Sequence, residues 1–212
     1  MALIHAIDDG DLAELRALLE SGIEPTPSDA LLSPLHAAIT HFADGQLDCH
    51  AAAVELLLSH GADANFLDPY SEFLPMEEAL AMGSVRCAEL LRDAGASVAA
   101  IGPRGQTMLD YAVQGAMRKR DETILKLVLS WGVDPNVRGP LGNGERRWTA
   151  LFETTSRANG GVGAAAADVL LKAGTDPCYR DENGDSALDQ ASRFSQDTEL
   201  IELLRRAMTT CR

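Results

Sequence analysis

Apolar residues come in short blocks along the chain, and five of these blocks run into the same polar phrase. The phrase reads Glu20-Ser21-Gly22-Ile23-Glu24-Pro25, Ser59-His60-Gly61-Ala62-Asp63-Ala64-Asn65, Asp93-Ala94-Gly95-Ala96-Ser97, Ser130-Trp131-Gly132-Val133-Asp134-Pro135-Asn136 and Lys172-Ala173-Gly174-Thr175-Asp176-Pro177. Its glycines stand 39, 34, 37 and 42 residues apart. An aliphatic residue (Leu18, Leu57, Leu91, Val128, Leu170) precedes each glycine by four positions. The pattern predicts one helix ending written five times, because glycine just past a helix enters the left-handed region without a Cβ penalty. Proline or asparagine beyond it marks a turn.

A second phrase opens a helix ahead of the last four blocks and recurs once after them: Ser33-Pro34-Leu35-His36-Ala37-Ala38, Leu74-Pro75-Met76-Glu77-Glu78-Ala79, Thr107-Met108-Leu109-Asp110-Tyr111-Ala112, Thr149-Ala150-Leu151-Phe152-Glu153 and Ser186-Ala187-Leu188-Asp189-Gln190-Ala191. Serine or threonine at the N-cap, proline at the first helical position and acids in the first turn are start signals. Asp11 with Glu14 predicts a capping box at the start of an earlier helix. Helix pairs are expected near 3 to 20, 34 to 59, 75 to 93, 108 to 130, 150 to 172 and 187 to 208. Each pair is too short to bury its apolar face alone, so neighbours must stack into a continuous core between polar-faced ends.

These phrases resemble the ankyrin repeat, whose unit reads Thr-Pro-Leu-His-x-Ala, a short helix, a loop, and a second helix ending Leu-Leu-x-x-Gly-Ala-Asp-x-Asn. Ser33 to Ala38 with Leu57 to Asn65 is the nearest copy. The resemblance implies an all-α, ankyrin-type solenoid of stacked helix-turn-helix repeats with short β-hairpin-like fingers. Its expected bounds are an N-terminal cap at 1–27, repeats at 28–65, 66–98, 99–136 and 137–177, and a C-terminal cap at 178–212, so that both caps fall inside the chain. Extra residues around Phe42 to His50, Arg118 to Asp121 and Asn159 to Gly163 are expected to enlarge inter-helix loops. Val137 to Trp148 should lengthen one finger, and insertions in such arrays often mark the working surface.

The family resemblance also implies where a partner is met: on fingers just ahead of the helix-opening phrase and on the exposed side of the first helix. By position this selects Tyr70, Phe73 and Met82, then Arg104, Gln106 and Gln114, then Glu145, Arg146, Trp148 and Arg157, with Glu182, Asn183, Asp185 and Arg193 in the last unit. Tyrosine, tryptophan and arginine are the residue types that anchor interfaces. The alternative for Phe73 and Trp148 is packing against neighbouring fingers. His36 occupies the family's histidine, which braces turns by hydrogen bonds.

Composition narrows the classes. The 212 residues are 46% hydrophobic, enough for a substantial core, and carry 18 basic against 32 acidic groups, a net charge of −14. Such acidity repels phosphates, which argues against nucleic acid and anionic membrane as partners. Residues 1 to 106 hold 4 basic and 17 acidic groups, residues 107 to 212 hold 14 and 15. That polarity suits either solubility or the steering of a basic partner to the N-terminal half. Arg118-Lys119-Arg120 and Arg146-Arg147 fall on opposite edges and do not make one patch. The longest stretch without a charge, Ala30 to Ala43, is too short for a membrane span.

No catalytic phrase stands out, and neither a metal nor a cofactor is expected. His36, His41, Cys49, His50 and His60 lack the compact pairing of a zinc site. Gly161-Val162-Gly163-Ala164-Ala165-Ala166 fits a dinucleotide fingerprint only formally, since a helix rather than a strand is expected before it. Glu77-Glu78 reads as solvated helix surface or turn caps. The four cysteines, Cys49, Cys87, Cys178 and Cys211, form no CxxC pair and are expected to be free thiols, with Cys87 in the core. With no basic, apolar leader at Met1, a reducing cytoplasm is the expected setting.

The reading is a non-catalytic protein-binding module, a monomer by itself, that recognises and regulates or inhibits one folded protein partner. Small irregular arrays of this kind resemble bacterial ankyrin proteins, some of which are immunity proteins that neutralise a toxic effector. An accessory subunit or scaffold of an enzyme is the remaining alternative.

Overall fold

The computed structural model describes residues 1–26, 33–40, 50–98, 105–138, 148–156 and 162–211. The chain forms two compact units, Met1–Val98 and Ala99–Arg212. The first contains α1 (Ala2–Asp8), α2 (Leu12–Glu20), α3 (Pro34–Thr40), α4 (Ala51–Ser59), α5 (Pro75–Met82) and α6 (Val85–Asp93). The second contains α7 (Met108–Lys119), α8 (Thr123–Ser130), α9 (Ala150–Ser156), α10 (Val162–Lys172), α11 (Ala187–Phe194) and α12 (Thr198–Ala207), with a short 3-10 turn η1 (Met208–Thr210). All six expected helix pairs are present. Among the described residues, the only β pairing is one antiparallel bridge between Arg180 and Ser186, so the described fingers are turns more than ribbons. No described helix is long and apolar enough to cross a membrane.

In each unit the helices form two rows. First helices pack on first helices (α1 on α3 on α5; α7 on α9 on α11) and second helices on second helices (α2 on α4 on α6; α8 on α10 on α12), while each pair also packs internally. The first row is sandwiched, so α3 buries every residue from Pro34 to Ile39. The second row keeps one wet side and buries stripes such as Cys87, Ala88 and Leu91 in α6, or Ile124, Leu125 and Val128 in α8. Alanines at Ala38, Ala79, Ala112 and Ala191 are covered completely, which is how two short helices come this close.

The repeated ending forms as its sequence dictates. Gly22, Gly61, Gly95, Gly132 and Gly174 all take left-handed φ values between 82° and 94°. That turn lets Ile23, Ala62, Ala96 and Thr175 donate back to Leu18, Leu57, Leu91 and Leu170 at 3.3, 3.0, 2.9 and 3.1 Å. These are the aliphatic positions four residues before each glycine, and the bonds satisfy carbonyls the helix leaves open. At the other end Asp11 accepts from Ala13 and Glu14 at 3.0 and 2.9 Å.

Three acids of the opening phrases, Glu77, Asp110 and Asp189, cap their helices. Glu77 is fully buried and accepts from the Leu74 N–H at 2.8 Å. Asp110 accepts from both the N–H and the hydroxyl of Thr107, at 2.7 and 2.9 Å, and Asp189 treats Ser186 the same way at 2.9 and 2.7 Å. All three stand where the phrase of the first repeat has His36.

Burial pushes the Asp110 carboxyl up to about 6, against the opposing pull of the Thr107 N–H and hydroxyl. Because this folded-state value lies above the unfolded one, the charge opposes folding above it. The stabilising contribution is complete below about pH 4 and is lost as pH rises through 6. Asp110→Asn keeps an acceptor for Thr107 and removes the charge. The stability of the natural protein relative to D110N, read by urea unfolding, is therefore expected to rise by about 1–3 kcal/mol between pH 7 and pH 4. A pH-independent difference would mean that water reaches the carboxylate.

Three expectations change. Arg118 and Lys119 lie in the last turn of α7 and Arg120 caps it with φ 54°, so that insertion lengthens a helix instead of a loop. Val162 and Gly163 likewise belong to α10, while Gly161 and the insertion 41–49 lie outside the described residues. The free-thiol reading is overturned. Cys178 and Cys211 form a disulfide with their Cα atoms 5.5 Å apart, and Cys87, fully buried as expected, is disulfide-bonded as well. Cys49 lies outside the described residues. Spacing gave no sign of this because the fold, and not a short motif, brings residues 33 apart together.

Candidate protein-binding surface

In the N-terminal unit the finger between α4 and α5 is organised by Asp68, which is completely buried. One of its oxygens accepts from the N–H of Tyr70 (3.0 Å) and of Ser71 (2.8 Å), and the other accepts from the N–H of Ser33 at 2.9 Å. The finger closes on itself through Asp68 N–H to Phe73 C=O (3.0 Å) and Glu72 N–H to Asp68 C=O (2.9 Å). His36, in α3, donates from Nε2 to the same Phe73 carbonyl at 2.7 Å, the bracing role expected of it. The finger is thus tied to the start of α3 at two points.

The electrostatics follow from this geometry. Burial raises the Asp68 carboxyl, but the N–H groups of Ser33, Ser71 and Tyr70 and the nearby His36 outweigh it and hold Asp68 below the usual carboxylate range. His36 is pushed down by burial, which exceeds the help of the Phe73 carbonyl and the Asp68 charge. Both depressed values make the tie strongest above the ordinary histidine range and weaken it as pH falls.

Tyr70 stands on this finger 83% exposed. Next to it Glu72 takes φ 56°, a left-handed backbone that a side chain adopts only when its surroundings enforce it. Leu67, on the same finger, is also exposed, whereas Phe73 is half-buried. Met82 is half-buried at the far end of α5. The fold therefore joins Tyr70 and Phe73 on one finger and sets Met82 apart from them.

In the C-terminal unit Trp148 is half-buried and stacks on Phe152 with centroids 6.0 Å apart. Phe152 meets the edge of Tyr179 at 5.9 Å, and Arg138 lies over Tyr179 at 5.1 Å. This is the packed alternative for Trp148. Gln106 and Gln114 are half-buried. Arg104, Glu145, Arg146 and Arg157 lie outside the described residues. On the last finger Glu182 and Asn183 are exposed, and Arg193 donates to Asp185 from both terminal nitrogens at 2.7 and 2.6 Å.

Sequence reasoning missed two residues. Phe194, at the end of α11, is 69% exposed; three positions after Ala191, it reads as a core residue by helical spacing. Asp68 was legible in principle, since Asp-Pro-Tyr-Ser is an Asx-turn sequence, but its bond to Ser33 spans 35 residues. His50 caps α4 by accepting from the Ala53 N–H at 3.3 Å, and His60 donates to the Leu56 carbonyl at 2.9 Å.

Stacked pairs of short helices, closed by left-handed glycine turns and joined by braced fingers, define a helical repeat protein of the binding class. The ankyrin repeat profile matches residues 31–69. Over 149 residues the chain is 30% identical to human SH3 and multiple ankyrin repeat domains protein 2, a match covering 70% of this chain and 7% of that protein. The chain spans less than half the length of the curated relatives it matches. The crystal structure of an ankyrin repeat domain from Acinetobacter baumannii AYE superposes with a TM-score of 0.76 at 26% identity, covering 97% of this chain and 96% of that one. A chain in the complex of the Bd0816 predatory endopeptidase from Bdellovibrio bacteriovorus with immunity protein Bd3460 superposes with a TM-score of 0.71 at 26% identity, covering 97% of each. This chain is an ankyrin repeat protein, built on an all-α fold whose general use is protein–protein interaction.

Proposed function

We propose that this protein is a non-catalytic inhibitor of one folded protein, an immunity-type binder, and that its N-terminal unit supplies the principal contact through Tyr70. The observation that carries the reading is a large, exposed aromatic on a finger fixed in advance by a buried carboxylate. A ring held this way loses little conformational freedom on binding, which is what makes tyrosine an effective anchor. The full-length likeness to a chain from an endopeptidase–immunity protein complex supports inhibition over scaffolding.

Charge supports the choice of unit. Residues 1–98 hold 3 basic and 17 acidic groups, and residues 99–212 hold 15 of each, so the first unit carries the entire net charge of −14. A partner seated there is expected to be basic at its contact surface, and its association to slow as salt shortens the screening length below about 10 Å.

The decisive measurement is binding to the single protein that co-purifies in a one-to-one ratio, with inhibition of that partner's activity as the readout of function. Tyr70→Ala is expected to weaken affinity by about 2 kcal/mol, roughly 30-fold, with unfolding unchanged. Glu24→Gln, Glu55→Gln and Glu72→Gln together leave the buried caps Asp68 and Glu77 intact and should lower the association rate and its salt dependence. Full affinity in Y70A with a salt-independent rate would move the interface off this finger, and several partners in varied ratios would favour a scaffold.

A further inference from the structure

We infer that this protein folds and meets its partner in an oxidising compartment, where the Cys178–Cys211 disulfide staples the helix pair α11–α12. The compartment stands on the cysteines alone; only the statement about the partner rests on the binding function proposed above.

No described cysteine is a free thiol. Cys178 lies in the turn after α10, where its N–H is held by Asp176 at 2.8 Å. Cys211 follows η1, its N–H bonded to the Met208 carbonyl at 3.0 Å. The bond encloses 33 residues of chain separation, and those residues are α11, the finger ahead of it, and α12. That segment is the helix pair that follows α9 and α10 in the second unit. Among the described elements α11 rests on α9 and α12 on α10. A covalent loop around the segment restricts its unfolded state and so stabilises the pair.

Such a bond selects its surroundings. Glutathione and thioredoxin keep cytosolic thiols reduced, and structural disulfides persist in secreted and periplasmic spaces. Forming this one removes a proton and an electron from each of two thiols as the S–S bond is made. The two electrons and two protons pass to the disulfide of a protein thiol–disulfide oxidase, which leaves as a dithiol. The acidic unit, the exposed Tyr70 and the partner it recognises are then extracytoplasmic. This replaces the reducing cytoplasmic setting expected from the sequence.

The test begins with intact cells that make the protein, quenched in acid and alkylated with N-ethylmaleimide under denaturing conditions. Peptides bearing Cys178 and Cys211 are expected to carry no adduct before reduction and one adduct each after it. Adducts on both before reduction would overturn the inference. On the purified full chain, Cys178→Ser with Cys211→Ser should lower the melting temperature by about 5–10 °C, with affinity for the partner retained below the transition. An unchanged melting temperature would remove the stapling role assigned to the bond. Failure to find a single partner would sink the proposed binding function and leave the thiol result standing.

Discussion

Asp68→Ala is expected to destabilise the N-terminal unit by about 3–5 kcal/mol and to weaken partner binding beyond the effect of removing Tyr70 alone. Three N–H groups, those of Ser33, Tyr70 and Ser71, end on this one buried carboxylate. A hydrogen bond to a charged group contributes about 1.5–3 kcal/mol, and an orphaned buried donor costs about 1–3 kcal/mol. The losses do not add fully, because water enters the opened finger. Asp68→Asn separates the two ends of the tie. Its amide oxygen can serve Tyr70 and Ser71, while its NH2 then faces the Ser33 N–H, donor against donor. D68N should therefore keep the finger folded on itself and lose the Ser33 tie to the start of α3, leaving only the bond from His36 to Phe73. Urea unfolding gives the energies, and hydrogen exchange at Tyr70 and Ser71 reports the finger. A loss under about 1 kcal/mol in D68A would show that the finger holds without its carboxylate, and the account of a preorganised Tyr70 would fall with it.

Phe152→Ala is expected to cost about 3–5 kcal/mol in the C-terminal unit. Phe152 is 1% exposed and is the middle ring between Trp148 and Tyr179. Its removal leaves a cavity and also strips Trp148 of the face on which it stacks. Indole emission should shift to the red in the folded state, with Trp148→Phe separating this signal from that of Trp131. If F152A unfolds at lower urea without that shift, Trp148 is held by other contacts. The comparison bears on function as well. Substituting Trp148 should lower stability, while substituting Tyr70 should lower affinity only, although both were selected by position as interface anchors.

The repeat was legible because its signals are local. A glycine ending and an N-cap each involve bonds across three to five residues, so the residue types that make them appear side by side in the chain. His36 could be placed for the same reason, as part of a contiguous phrase. The acids Glu77, Asp110 and Asp189 occupy the corresponding position, but the burial of Glu77 and Asp110 is a property of the packed first row, and the sequence alone left Glu77 between solvated surface and cap.

By itself, then, the sequence determined the helix pairs, their endings, the all-α repeat class and the acidic excess of the N-terminal part, all of them consequences of short-range backbone chemistry and of composition. Only the tertiary structure decided that Asp68 holds Ser33 from 35 residues away, that Cys178 meets Cys211, that Trp148 packs while Tyr70 and Phe194 stand out, and that Arg118 and Lys119 extend a helix. Each of these depends on which surfaces meet once the helices stack. Residue type sets how much free energy burial or exposure of a side chain is worth; the neighbour that covers it, or fails to, is set by the fold.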